Sequence, residues 1–110
     1  MKGILDFIDH TIRLEEKFLV KFPEGTSQHS LLRNRIRALE TVRDLISGER
    51  IPSREELEFA LPRMESILSK TRKARDKYEP GTRNYQRFDP TVRMTEQIRD
   101  ILLQFLDKVE

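Results

Sequence analysis

Apolar residues recur along this chain at spacings of three and four, in four stretches separated by proline, glycine and hydroxyl residues. In the first stretch Ile4, Ile8, Ile12, Leu19 and Phe22 share a stripe. Leu5, Phe7, Thr11, Leu14 and Phe18 flank it, so the apolar arc covers nearly half the circumference. The spacing predicts a helix over about residues 2–22, stopped by Pro23 and Gly25. A second helix over about residues 27–47 turns Leu31, Leu32, Ile36, Leu39, Val42, Leu45 and Ile46 inward, with Gly48 placed for a left-handed terminus. Ser53 and Glu56, in capping-box spacing, open a third helix that runs to about residue 78. Pro62 predicts a kink in that helix or a break into two. Asp89-Pro90 reads as the start of a fourth helix, which buries Val92, Met94, Ile98, Ile101, Leu102, Phe105 and Leu106. Residues 83–88 have room for a helical turn of their own. No stretch alternates with a strand's period.

The pattern also repeats. Residues 21–46 align without gaps on residues 77–102, an offset of 56, with seven identities in 26 positions. Average amino-acid usage predicts roughly one or two. The identities include Gly25/Gly81 and Thr26/Thr82 at the turns and Arg37, Glu40, Arg43 and Asp44 over Arg93, Glu96, Arg99 and Asp100. The offset reaches back to pair Met1 with Leu57. The expected fold is all-α: an antiparallel four-helix bundle of two duplicated helical hairpins with pseudo-twofold symmetry, in one domain over residues 1–110. The first repeat covers about residues 1–54 and the second about residues 55–110.

Charged and hydrophobic residues are equally frequent, each 36% of the 110, which predicts a lean core inside solvated outer faces. There is no cysteine, so disulfide and thiol chemistry are excluded, and the expected setting is cytoplasmic. Asp6 and Asp9 interrupt the apolar run at the N-terminus before it could act as a signal segment, and no run reaches membrane-spanning length.

Candidate chemistry is sparse. Glu15 lies mid-arc on the first helix and Arg35 mid-arc on the second. Folding the hairpin about residues 24–25 sets them opposite each other as a buried structural ion pair. Their equivalents in the second repeat are Thr71 and Thr91, both neutral. Arg43 and Arg99, retained in both halves, are candidate anchors for a partner. Phe7 and Leu14 lie beyond what one bundle interior needs and are candidate partner contacts as well. The net charge of +2 is unevenly placed. Lys70, Arg72, Lys73, Arg75, Lys77, Arg83 and Arg87 face only Asp76 and Glu79 within residues 70–87, a composition that suits a polyanion.

Residues 48–57 resemble the opening of the first motif helix in GntR-type winged-helix repressors. The likeness ends at Leu61-Pro62-Arg63-Met64-Glu65, where a glycine turn and recognition helix should follow. Di-iron bundles need glutamate three residues before histidine, whereas Phe7 precedes His10 and Thr26 precedes His29. No nucleophile–base set and no phosphate loop is apparent. The expectation is therefore a non-catalytic module without cofactor or metal. Its partner is another protein or a second copy of itself, with nucleic acid or another polyanion as the alternative and no membrane.

Overall fold

The computed structural model describes residues 2–108. Four helices follow one another: α1 (Lys2–Leu19), α2 (Ser27–Ser47), α3 (Arg54–Asp76) and α4 (Arg83–Lys108). The chain is all-α, and each helix packs against the next in sequence, as in an up-down bundle. Met1, which the repeat pairs with Leu57, lies outside the described residues.

Ile8, Leu39, Val42, Leu57, Met64, Ile98 and Leu102 form the centre, with essentially no exposed surface. All four helices contribute to this single apolar cluster. The bundle is not square in section. Its extents are 43 × 35 × 21 Å, one short axis and one long. Two layers of helices at 8–10 Å spacing explain the short axis. The long one matches the length of α4, 26 residues at about 1.5 Å each, and α1 and α4 approach each other over a short stretch only.

The two hairpin turns match bond for bond. Phe22 N–H donates to the Leu19 carbonyl at 3.2 Å and Tyr78 N–H to that of Arg75 at 3.1 Å. The Thr26 hydroxyl donates to the Pro23 carbonyl and accepts from the His29 N–H. Thr82 does the same with Glu79 and Tyr85. Gly25 and Gly81 adopt φ of 88° and 90°, a left-handed conformation that side chains disfavour.

These turns correct three expectations. The first helix ends at Leu19 rather than near residue 22, because the last bonds before Pro23 tighten into a turn. Phe22 consequently leaves the helical stripe and is exposed. The fourth helix begins at Arg83, capped by Thr82, and runs through Pro90. Pro90 lies in the second turn, exposed, where its ring deprives only the Gln86 carbonyl of a partner. Asp89, freed from capping, pairs with Arg75 and Arg93. Pro62 likewise lies on the solvent side of a continuous α3. Leu31 and Phe105, predicted inward, are exposed; the first lies beside the turn of the α1–α2 hairpin and the second in the closing turns of the longest helix.

The connection between hairpins is held by charge. Gly48 closes α2 with φ 77°, its N–H reaching the Asp44 carbonyl. Ser53 and Glu56 form a full capping box at the start of α3. Arg50 grips Glu56 with two bonds of 2.9 and 2.7 Å and reaches Asp44 with a third. The Arg50 fork, then the Ser53 N–H, pull the Glu56 carboxyl down from 4.5 to about 2. A depressed carboxyl contributes stability above its unfolded pKa, and that stability drains away as pH falls from 4.5 towards 2.

Two expected outcomes follow from these turns and caps. Thermal melts of Glu56→Gln should show a lower Tm than the native chain near neutral pH. That difference should shrink as the pH is lowered through 4 to 2, and a constant gap would show that Glu56 does not act through its charge. Gly25→Ala and Gly81→Ala should each lose about 1 kcal/mol. Gly3→Ala in α1 should instead gain about 0.5–1 kcal/mol, because the added Cβ meets only Met94 Cε at an ordinary 3.7 Å.

Candidate functional site

The separation of α1 from α4 generates the site. Near the start of α1, Gly3 and Ile4 face Met94 and Ile101 of α4. Further along α1 the seam opens into a cleft of about 340 Å³. Phe7, Thr11 and Leu14 of α1 line one wall, and Phe88 and Thr91 of α4 the other. Ile67, Lys70, Thr71 and Ala74 of α3 lie beneath, and Arg35 of α2 reaches in from behind. His10, expected on an outward face, borders the same cleft.

Glu15, Arg35, Thr71 and Thr91, the mid-arc positions of the four helices, all line this one cleft. Arg35 is buried as expected, with 6% of its surface exposed. The predicted ion pair is absent, however. Glu15 is half-buried and none of the described ion pairs involves it or Arg35. Arg35 Nη2 instead donates to Ser66 Oγ on α3 at 3.2 Å, and its Nε is buried without any acceptor. The reason is geometric. Arg35 points across the bundle towards α3, whereas pairing with Glu15 requires it to fold back along its own hairpin. A guanidinium so enclosed and without an ion pair keeps part of its desolvation cost, which a charge at longer range offsets only in part.

Beside this cleft lies a second depression, at the turn end of the first hairpin. Phe18, Phe22, Leu31 and Leu32 line it, and it shares Glu15, Arg35 and Lys70 with the cleft. Leu14, Phe18, Phe22 and Leu31 are 42%, 49%, 37% and 47% exposed, so a run of large apolar side chains faces solvent here. Lys21 Nζ stands 5.3 Å from the Phe18 ring. Phe7, the other predicted contact, is half-buried in the cleft wall and packs against the core.

The remaining candidates are scattered. Arg43 crosses to Asp9 of α1 at 3.4 Å, but Arg99 binds its own neighbour Asp100, so the two repeats use this arginine differently. Arg37 lies over the Phe59 ring, while Arg93 pairs with Asp89 and Glu96 with Arg72. The basic run divides between two surfaces. Lys70 faces the cleft, whereas Arg72 and Lys73 border a shallow depression with Arg99. Arg72 donates to Glu96 at 2.6 Å and Arg75 to Asp89 at 2.9 Å, pairs that tie α3 to α4. Asp76 and Asp89 raise the Arg75 pKa, and Arg93 followed by Arg75 lowers that of Asp89. Arg87 stacks over Phe88, which itself lies parallel to Tyr78 across the second turn. Lys73, Lys77 and Arg83 remain exposed.

Ser66 and the seam itself had no signal in the sequence. The one available hint was that the repeat aligns Glu15 and Arg35 with threonines, marking four positions with a shared fate.

Replacing Arg35 with methionine, which keeps the stem and removes the buried charge, should raise stability by about 1–4 kcal/mol. Arg37→Met, on the outer face over Phe59, should lose about 0.5–1 kcal/mol of cation–π attraction. Chemical denaturation of both variants checks this, and a destabilised Arg35→Met refutes the reading of Arg35 as an uncompensated charge. Among the described residues no three His, Cys, Asp or Glu side chains converge as a metal site would require, and no helix is long and apolar enough to cross a membrane. No protein family matches this chain, and neither a curated protein nor a solved structure is similar to it.

Proposed function

We propose that this chain is a non-catalytic helical module, assembled from two copies of one hairpin about a pseudo-twofold axis, that docks an amphipathic helix of another protein in the cytoplasm. The observation that carries the reading is the solvent-facing row Leu14, Phe18, Phe22 and Leu31. Leu14 and Phe18 stand one helical turn apart on the same face, and Phe22 and Leu31 extend that face across the hairpin's turn. Contiguous exposed apolar side chains of this size mark contact surfaces. A groove beside a helix suits an amphipathic helix, whose anchors recur every three or four residues. Lys21 and Lys70 at the margin favour a partner with acidic residues flanking its apolar face.

The duplication is supported by the shared turn geometry at Thr26 and Thr82 and by the offset of 56. The non-catalytic reading rests on the sequence, which has no cysteine and places its two histidines on different helices. Polyanion binding through residues 70–87 has less support, because Arg72 and Arg75 already hold carboxylates.

A photo-crosslinking residue placed at Phe18 or Leu31 in the native cell should yield a discrete adduct with a second polypeptide. The same residue at exposed Glu58 on α3 should not. Equal labelling at all three positions, or adducts of twice this chain's mass alone, would overturn the proposal.

A further inference from the structure

Arg35 is the one buried charged side chain among the described residues, and the chain supplies it with no counter-ion. Ser66 takes one of its N–H groups, and Nε is buried without an acceptor. Two more donors border the same cleft unused, since neither the Lys70 ammonium nor the Thr91 hydroxyl makes a hydrogen bond or ion pair. Thr71 differs, because its hydroxyl donates to the Leu68 carbonyl. The walls around these donors are apolar: Phe7, Leu14, Ile67 and Phe88. A mainly apolar concavity with a few converging polar groups is the usual form of a small-molecule site, and 340 Å³ lies at the lower end of the common range, roughly 300–1,000 Å³.

We infer that the α1–α4 cleft binds a small amphiphilic monocarboxylate, its head towards Arg35, Lys70 and Thr91 and its hydrocarbon body between Phe7, Leu14 and Phe88. The charges select a monoanion. Two cations and one carboxylate, Glu15, line the cleft, so a single added negative charge brings it to neutrality. An arginine fork suits a carboxylate, which takes two parallel N–H bonds. At ~30 Å³ per water-sized group, the cleft holds on the order of ten such groups, which matches a medium-length saturated chain. The inference stands apart from the docking of a protein at Phe18 and Leu31, which line the neighbouring depression, although the two surfaces share Glu15, Arg35 and Lys70.

The test uses decanoate, decan-1-ol and decyltrimethylammonium as probes, each kept below the concentration at which it aggregates, with the full chain followed by amide NMR shifts. Decanoate should saturate one site, with shifts centred on Thr11, Thr71 and Thr91, and bind about tenfold or more tightly than decan-1-ol. Arg35→Gln should reduce decanoate to about the level of the alcohol while weakening the alcohol itself far less. Should that variant fail to fold, two substitutions at less buried positions decide the matter: Lys70→Gln should weaken decanoate and Glu15→Gln should strengthen it. Equal affinity for acid and alcohol, tighter binding of the cationic probe, or indifference to the Lys70 and Glu15 substitutions would overturn the inference. So would shifts confined to Phe18, Phe22 and Leu31, which would indicate adsorption on the proposed protein-docking face.

Discussion

The packing of α2 on α3 is the contact on which the rest of the molecule depends. Each hairpin closes locally about its own turn, yet neither can cover its apolar stripe alone. Leu39 and Val42 of α2, with Leu57, Ala60 and Met64 of α3, make the seam between halves almost entirely dry. The Arg50–Glu56–Asp44 cluster and the Ser53 capping box hold the crossing in place. Exposed ion pairs of this kind add little energy singly. Here they act together with a left-handed glycine to fix where α3 starts, and therefore which residues meet α2.

The open seam follows from the same arrangement. With α2 and α3 as the joined inner pair, α1 and α4 become outer helices, each fully supported on one side only. They meet near Gly3 and Met94 and separate towards Leu14 and Phe88. The apolar arc of α1 is too wide for a helix with one neighbour, so its surplus faces solvent as Leu14 and Phe18. The same separation leaves Arg35 enclosed by protein but without a charge to balance it. A buried charge without a counter-ion is a poor stability device. Its retention in the interior makes more physical sense as a binding feature than as a structural one.

Much of the fold was legible in the sequence. Helical periodicity located all four helices, and Gly48 and Ser53 announced caps that are formed in the structure. The errors in helix bounds came at the prolines. Pro90 reads as a first-turn residue, but the Thr82 cap about two turns earlier outweighs it, since an exposed proline in an early turn forfeits only one bond. Phe22 obeyed the stripe's arithmetic yet lies beyond the last helical turn of α1, where the arithmetic no longer applies.

Local rules along the chain, namely periodicity, capping and turn chemistry, determined the four helices, their hairpin turns and the inward position of Arg35, because each depends on residues within a few positions of one another. Which group Arg35 meets was decided only by tertiary structure. Ser66 and Glu15 lie 31 and 20 positions away, and nothing in the local pattern ranks one above the other. The separation of α1 from α4 belongs to the same class, since it depends on how far two surfaces distant in sequence approach after α2 and α3 have packed. Helix formation is settled by neighbours along the chain, whereas the shape of a cleft is settled by neighbours in space.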